Sequence, residues 1–503
     1  MIRLATSRRA WLISGMHPVR TLFCGLSLFL FSAAGLAAPL LPIRVHSGGH
    51  HLETTDGRPF FWLGDTAWSL LHATDRDECS YYLRTRADQG YTVIQVNVLA
   101  EMDGVRRPTA LGLKPFHNLD AARPVDAYFD RFVELVDEAA ARGLYVAVLP
   151  AWGDKLTAPW GEGPRLFDLT NLPVVRAYGR YLGTKLRGRT NVIWMLGGDR
   201  PALLDPARPN EYPSSAGIAA GFPPDHDWRP VWREMLAGLN EGYGAKALTL
   251  YHPPGGHSST SFMLSGESWL DVHAWQSGHG GGRDVPVWES IASDYARNPP
   301  KPVLDLEPNY EDHPVSPWPV WDPANGYFRD HDVRKQCFRS VFAGAAGVTY
   351  GHHAVWQFAG QRNAPVNFAD RDWVDALHRP GARQMIHLRR LIESRPFFNR
   401  VPDPLLVAAP GRDRSRHLVA CREAEGSYAF VYFPESEQTA IVDLSRLKPG
   451  TFRVRWYDPR TGASRDAGTI SGPGPRELRS PANGPDWVLV LDHTGAGYPA
   501  PGM

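Results

Sequence analysis

The chain has 503 residues, 54 lysines and arginines against 53 acidic residues, and a formal net charge of +1 at pH 7. This balance, without a concentrated basic face, argues against nucleic acid as a partner. The length exceeds one ordinary domain and suits a barrel with a smaller module. Seventeen tryptophans and eighteen tyrosines are compatible with carbohydrate binding, because aromatic faces stack on sugar rings.

The N-terminus is typical of an export signal. Its first 20 residues contain four arginines and no acidic residue, an apolar run follows over 22–36, and small residues end it at Ala37. We therefore expect a signal peptide over 1–37 and a protein exported to the periplasm or outside the cell. Removing it leaves a net charge near −3. The alternative, a permanent membrane anchor, is disfavoured because a spanning helix needs about 20 apolar residues.

From about residue 60 to 395, short apolar runs rich in β-branched and aromatic residues alternate with amphipathic helical stretches. Eight strands are predicted, over 60–64, 92–98, 144–150, 192–196, 247–251, 270–275, 302–306 and 348–351. Helices are predicted between them, including 127–142 and 333–346, and a final helix over 373–394. Consecutive βα units wind right-handed, so the eighth strand can pair with the first. This predicts a (β/α)8 TIM barrel over 38–395, with a long loop over 201–227 on its active-site face.

After Pro396 the apolar period changes to two, which is typical of β-strands. Short strands are predicted over 405–408, 417–421, 428–433, 439–444, 452–457 and 487–491, forming a small C-terminal β-sandwich over 396–503. The short join contains Phe397, Phe398 and Val401. Bulky apolar residues there predict that the sandwich packs on the barrel.

Cysteines and histidines give no sign of a metal centre. After export the chain keeps Cys79, Cys337 and Cys421, an odd number with wide spacing that leaves at most one disulfide open. There is no His-Glu-x-x-His, and an extended His352-His353 pair would point to opposite faces. Serine-nucleophile, phosphate-loop and dinucleotide motifs are also missing from the sequence. We expect no cofactor and no metal.

Two carboxylates stand where barrel enzymes place their chemistry, at the C-terminal ends of strands. The fourth predicted strand leads to Asp199 and the seventh to Glu307. Sugar transfer needs one acid to protonate the departing oxygen and one carboxylate at the anomeric carbon. The alternatives are a helix cap or turn role for Asp199 and a buried ion pair with an arginine for Glu307. Asp305 is expected to point into the barrel interior as a core residue.

Other polar and aromatic residues at strand ends are predicted to bind sugar, although each could instead be a structural ring or hydrogen-bond bridge. They are Asp65, Trp68, Asn97, Trp152, Asp154, Tyr251, His252, His273, Trp275, His352, His353 and Trp356. Glu311 and Glu267 are fallback acids. The glycine-rich tract over 278–282 is predicted to form a flexible rim.

Three strand-end motifs resemble the apiosidase-like catalytic domain of glycoside hydrolase family 140. They are Gly64-Asp65-Thr66-Ala67-Trp68, Trp194-Met195-Leu196-Gly197-Gly198-Asp199, and Leu304-Asp305-Leu306-Glu307-Pro308 with Tyr310-Glu311. The resemblance covers about residues 41–394. The segment containing Trp456-Tyr457-Asp458-Pro459 and Gly462 is similar to the β-domain, labelled collagen-binding, that commonly follows it.

The resemblance implies an exo-acting, retaining enzyme that removes apiose or a similar sugar from the plant pectin rhamnogalacturonan II. Asp199 would then be the general acid/base and Glu307 the nucleophile, with a plant cell-wall oligosaccharide as substrate. Most related barrels end the fourth strand in Asn-Glu, whereas this chain has Gly198-Asp199, whose side chain is one methylene shorter. Two alternatives stay open: another retaining glycosidase or endo-glycanase, or a non-catalytic secreted carbohydrate-binding protein.

Overall fold

The computed structural model describes residues 39–101, 103–156, 163–203, 227–256, 259–318, 320–408 and 413–503. The predicted signal peptide and most of the predicted 201–227 loop lie outside the described residues. A three-stranded antiparallel sheet precedes the barrel, with strands β1 (Ile43–Val45), β2 (Leu52–Thr54) and β3 (Pro59–Phe60).

The next eight strands confirm the predicted TIM barrel. They are β4 (Trp62–Thr66), β5 (Val93–Asn97), β6 (Tyr145–Leu149), β7 (Val192–Gly197), β8 (Thr249–His252), β9 (His273–Trp275), β10 (Val303–Asp305) and β11 (Gly347–Tyr350). They run parallel in the order β8-β7-β6-β5-β4-β11-β10-β9. At the closing edge, the Asp271 backbone amide donates to the Thr249 carbonyl over 2.9 Å. Every strand overlaps its predicted range.

The described helices surround the barrel. They are α1 (Leu70–Ala73), α2 (Arg76–Asp88), α3 (Asp126–Ala141), α4 (Leu172–Leu186), α5 (Arg229–Tyr243), α6 (Thr260–Leu264), α7 (Val287–Tyr295), α8 (Asp330–Phe342), α9 (His353–Trp356), α10 (Trp373–Ala376) and α11 (Pro380–Glu393). The single final helix predicted over 373–394 is wrong. Pro380 sits at the first turn of α11, where its missing N–H and fixed φ start a helix but cannot continue one.

The barrel strands are buried on both faces. Alternate residues, such as Met195 and Leu250, fill the barrel interior, while their neighbours, such as Leu196 and Tyr251, face the helices. Strands of this kind read as continuous apolar runs, so the sequence does not show which residues point inward. For this reason, several residues that were predicted to line the site face the helices instead.

The C-terminal strands are antiparallel: β12 (Arg400–Pro402), β13 (Val419–Glu423), β14 (Tyr428–Phe433), β15 (Thr439–Asp443), β16 (Thr451–Tyr457), β17 (Ser464–Ser471), β18 (Pro475–Arg479) and β19 (Trp487–His493). A six-stranded sheet has the order β12-β13-β14-β19-β16-β17, and β15 pairs with β18. The strand predicted over 405–408 is wrong, because Pro404–Leu406 forms a 3-10 turn capped by Asp403. Strand β17 lacks an apolar alternation and was not predicted, because it is a largely exposed edge strand.

The packing predicted from the apolar join is confirmed. Phe397 is buried, and the ring of Phe398 stacks on His46 with centroids 4.0 Å apart. One face of the six-stranded sheet lies on helix α8, where Tyr432 stacks on Phe338 at 5.3 Å. The other face packs beneath the β15–β18 pair.

Buried ion pairs reinforce this seam between barrel and sheet. The Arg334 guanidinium of α8 donates two hydrogen bonds to Asp486, at 2.9 and 2.6 Å, and Tyr432 donates a third at 2.9 Å. Neither Arg334 nor Asp486 is exposed. Asp492 similarly accepts from Arg395 and Arg455, each at 2.8 Å. These fully paired charges fix the sheet on the barrel.

Cys79, Cys337 and Cys421 are all buried and free, so the disulfide left open does not form. Within the described part of the chain, no helix has the length and apolar character needed to cross a bilayer.

Candidate active site

Asp199 is held at the barrel mouth by a turn directly after β7. Gly197, Gly198 and Asp199 have φ of 91°, 97° and 53°, three successive residues in the left-handed region. A Cβ at Gly197 would lie 2.3 Å from the His252 carbonyl oxygen, and one at Gly198 would lie 2.7 Å from the Trp152 ring. Only glycine fits there, and the following Asp tolerates its unusual φ better than a branched residue would. This turn aims the Asp199 carboxylate across the mouth.

Glu307 follows β10 and is buried at the opposite side of the mouth, with 4% exposure. His279 Nε2 lies 3.0 Å from its Oε1, and His252 Nε2 lies 2.9 Å from its Oε2 at an angle unsuited to a hydrogen bond. Burial and the nearby Glu307 charge raise the pKa of the Tyr310 hydroxyl. The Gly278 amide donates to the Glu307 carbonyl over 2.9 Å and fixes the backbone. Two imidazoles therefore bracket one carboxylate.

The two carboxylates lie close together. One oxygen of Asp199, one oxygen of Glu307 and one ring nitrogen of His252 are all within 4.8 Å of one another. Burial and the Glu307 charge raise the pKa of Asp199. Burial also tends to raise the pKa of Glu307, but its contacts with His252 and His279 outweigh this and hold that pKa well below its usual range. Asp199 is thus the more easily protonated carboxyl group and Glu307 the more readily ionised one, which is the difference that acid–base catalysis uses.

Asp199, His252 and Glu307 are the described residues that could hold a metal ion. The spacing fits direct contact better. Two ligands bound to one tetrahedral zinc at about 2.0–2.2 Å lie farther apart than 2.9 Å, the distance between His252 Nε2 and Glu307 Oε2. The imidazole of His252 and the carboxylate of Glu307 therefore contact each other directly.

Four predicted sugar-binding residues meet at this mouth. Trp68 packs against both Trp152 and His252, with ring centroids 5.1 Å from each. Its indole N–H donates to the Tyr310 hydroxyl over 3.2 Å. Asn97 ends β5 and is 1% exposed. A fifth, the half-buried Trp356, packs against the interior cluster that contains Trp68 and Trp152.

Several of these polar atoms have no hydrogen-bond partner among the residues that the structure describes. The buried atoms without a partner there include both amide atoms of Asn97, the indole Nε1 of Trp152 and Nδ1 of His252. Asp199 Oδ1 and Glu307 Oε2 also lack a hydrogen-bond partner in the described part of the chain. Buried polar groups are usually paired, so a cluster of unpaired ones needs an explanation. A polyhydroxylated ligand in the mouth supplies one.

Four predicted site residues lie away from the mouth, on the helix-facing side of their strands. They are Asp65, Tyr251, His273 and Trp275. Asp65 forms a buried ion pair with Arg86 of α2 at 2.8 Å and accepts from the Tyr82 hydroxyl. The Tyr251 hydroxyl donates to the Arg200 carbonyl over 2.8 Å. These contacts correct the predicted sugar-binding roles of Asp65 and Tyr251 to structural ones.

The same correction applies to β9, where Val272 and Ala274 point inward. The indole of Trp275 therefore donates outward, to Asp294 of α7 over 2.8 Å, and His273 also faces that side. His352 caps α9 through the Ala354 amide at 3.0 Å and contacts Asp312 at 3.1 Å. All three residues serve the framework rather than the mouth.

The remaining acidic candidates also form contacts away from the mouth, including Glu311 and Glu267, which were predicted as alternatives to Glu307. Glu311 accepts from the Tyr350 hydroxyl over 2.6 Å, and Glu267 pairs with Arg233. Asp305 does not point into the barrel as expected. It accepts from Ser340 of α8 over 2.9 Å, because Leu304 and Leu306 occupy the interior. Asp154 forms a fully buried pair with Lys155 at 2.7 Å.

Sequence reasoning missed three contributors to the mouth. His279 lies in the glycine-rich tract predicted to be a flexible rim, but it is buried against Glu307. Gln276 lies near Asp199 and tends to lower its pKa. Glu101, after β5, lies near Asp199, and burial together with that charge raises its pKa to about 8. The only available signal was their position just beyond strands β9 and β5.

A parallel eight-stranded barrel with paired carboxylates at its C-terminal mouth is the arrangement that glycoside hydrolases use. A family model described as "Apiosidase-like, catalytic domain" matches residues 46–399. The chain belongs to this apiosidase-like family. A second model, "Putative collagen-binding domain of a collagenase", matches residues 401–492.

Solved structures agree with this assignment. One titled "Glycoside hydrolase" is 27% identical, with a TM-score of 0.77, and covers 90% of this chain and 97% of its own. A glycoside hydrolase family 5 protein from Bacteroides vulgatus ATCC 8482 is 28% identical, with a TM-score of 0.76, covering 91% and 94%. Among curated proteins, a search finds no match to the chain.

Proposed function

We propose that the protein is a retaining, exo-acting glycosidase in which Asp199 is the general acid/base and Glu307 the nucleophile. The observation that carries this is the close approach of the two carboxylates, within 4.8 Å, together with their opposite pKa shifts. Retaining enzymes hold such groups about 5–5.5 Å apart, whereas inverting enzymes need about 6.5–9.5 Å for an intervening water.

In the first step, Glu307 attacks the anomeric carbon while the protonated Asp199 transfers its proton to the departing glycosidic oxygen. In the second step, Asp199 removes a proton from water, which attacks the same carbon and releases Glu307. His252 and His279 stabilise the ionised Glu307 before attack. Because both contacts hold the carboxylate in place, little motion is needed to reach the sugar.

The glycone we propose is apiose or a sugar of similar size, carried on a side chain of the plant pectin rhamnogalacturonan II. Family membership supports this class of substrate. The unpaired Asn97 amide, Trp152 N–H and His252 Nδ1 offer both donors and acceptors to several hydroxyl groups at once. The Trp68 ring contributes an apolar wall for one sugar face.

Export by the signal peptide over 1–37 is part of the same proposal, since a polymer from plant cell walls is met outside the cytoplasm. Mass spectrometry of the mature protein tests it. An N-terminus at Ala38 is expected, and a mature chain that starts at Met1 would contradict export by cleavage.

Two measurements test the function. Purified protein is incubated with rhamnogalacturonan II oligosaccharides, and released monosaccharides are identified. Proton NMR of the first-formed sugar then reports its configuration, and we expect retention. An inverted anomer before mutarotation would reject Glu307 as nucleophile, whereas release of a different monosaccharide would reject only the substrate.

A further inference from the structure

An exposed aromatic ridge stands at the rim of the barrel mouth. It consists of Trp318, Val320, Trp321 and Phe368, and three of its members are 58%, 83% and 54% exposed (Trp318, Val320 and Phe368). The Trp321 ring lies 5.0 Å from Phe368. This contact joins the segment between β10 and α8 to the segment between α9 and α10. Large apolar side chains grouped on a surface in this way mark a binding site.

The ridge is held in place rather than loosely attached. The Tyr327 hydroxyl donates to the Phe368 carbonyl over 3.1 Å, and the ring of Trp321 packs on Tyr327 at 5.0 Å. His353 Nε2 contacts the Asn367 carbonyl at 2.8 Å. Asn367 and Phe368 have φ of 51° and 64°. A bulky residue in the left-handed region costs free energy, and such strain concentrates at functional sites.

A series of ring contacts connects the ridge to Glu307. His279, which contacts Glu307, stacks on His313 with centroids 4.3 Å apart. The Trp318 ring lies 5.8 Å from His313. Two imidazole rings therefore separate Trp318 from the nucleophile, and sugar units attached to a glycone in the mouth would reach the ridge.

We propose that the aromatic ridge binds the sugar units next to the cleaved glycone, by stacking on their apolar faces. The occupant is carbohydrate because the ridge is continuous with a carbohydrate-cleaving mouth, and because aromatic rings offer flat apolar area together with a rigid framework. This inference rests on the proposed function, since it assigns the part of the same substrate that lies outside the mouth.

The test compares Trp318→Ala and Phe368→Ala with the wild type on two substrates that share one glycone. One is a rhamnogalacturonan II oligosaccharide, and the other is an aryl glycoside too short to reach the ridge. We expect kcat/KM for the oligosaccharide to fall roughly tenfold, mostly through KM, corresponding to about 1.4 kcal/mol. The aryl glycoside should be cleaved within about twofold of the wild-type rate.

Leu405→Ala is the matched control, because Leu405 is 68% exposed on the C-terminal domain. It should change neither substrate. Equal losses on both substrates for the ridge variants, or no loss on either, would overturn the proposal.

A binding measurement separates this proposal from the catalytic one. Glu307→Gln protein is run in a native gel containing soluble pectin, with and without the Trp318→Ala change. Retardation that depends on Trp318 supports the ridge even if the wild type cleaves none of the glycosides. Cleavage without ridge-dependent retardation supports the catalytic pair and overturns the ridge, and absence of retardation in both proteins also overturns it.

Discussion

The barrel mouth and the seam with the C-terminal sheet both bury charged and polar side chains, but they treat them in opposite ways. At the seam, Arg334 and Asp486 satisfy each other in two hydrogen bonds, and Tyr432 completes the acceptor. At the mouth, the Asn97 amide and one oxygen each of Asp199 and Glu307 have no partner within the described chain.

This difference separates residues kept for folding from residues kept for chemistry. A buried charge is stable only while its partner is present, so removing the partner lowers the free energy of unfolding. An unpaired group already carries that cost in the folded state and gains its partner from a ligand. Substitutions at the mouth should therefore affect activity, and substitutions at the seam should affect stability.

The largest effect is expected at Glu307. Glu307→Gln should lower turnover of every substrate at least about 10^4-fold, because no covalent intermediate forms without the nucleophile. Its melting temperature should change by only a few degrees. Initial rates on natural and aryl substrates, with calorimetry, measure both. Glu311→Gln is the matched control on the same loop, and a folded Glu311 variant that is equally inactive would contradict the assignment.

Asp199→Ala should produce a smaller and substrate-dependent loss. Natural glycosides need a proton on the leaving oxygen and should be cleaved about 10^2- to 10^4-fold more slowly. An aryl glycoside with a good leaving group needs little protonation and should lose far less. The comparison of kcat/KM on the two substrates decides. If Glu101→Gln, instead of Asp199→Ala, loses activity on natural glycosides but keeps it on aryl glycosides, the acid role belongs to Glu101.

At the seam, Arg334→Met should reduce the free energy of unfolding by about 3–5 kcal/mol, because Asp486 stays buried without its cation. Denaturant unfolding measures this, and the kcat of the protein that remains folded should be close to that of the wild type. Arg76→Ala breaks an ion pair with Glu134 on exposed side chains and should cost no more than about 1 kcal/mol. Equal losses in the two variants would mean that burial at the seam has no energetic consequence.

How far the sequence predicts this molecule follows from the same physics. The eight barrel strands are recognisable because each is an apolar run bounded by turns, and Asp199 and Glu307 because each follows such a run. Asp65 and Trp275 are misplaced because strands buried on both faces hide which residues point inward. The hydrogen bonds of Asp65 to Tyr82 and of Trp275 to Asp294 appear only in three dimensions.

The missed residues have a different cause. His279 reaches Glu307 from a glycine-rich loop, and no local pattern announces that a loop histidine will be buried. Strand β17 was missed because its residues are polar and exposed, so no apolar period marks it. Local sequence thus predicts elements that bury apolar surface and fails where tertiary contacts alone fix a side chain.

The smallest effect is expected in the pH dependence, and it tests whether the two carboxylates of the mouth differ as their surroundings indicate. Asp199, with a pKa raised to about 6 by burial and the Glu307 charge, must be protonated to act as the acid. Activity should therefore fall as pH rises through about 6, tenfold per unit at most. Glu307, with a pKa lowered to about 2, must be ionised and stays so throughout the range above about 3. The profile of kcat/KM reports the free enzyme, and its two limbs belong to the coupled pair.

An aryl glycoside with a good leaving group should flatten the limb near pH 6, because it needs no proton from Asp199. A limb that stays unchanged with that substrate would assign the titration to another group, such as Glu101.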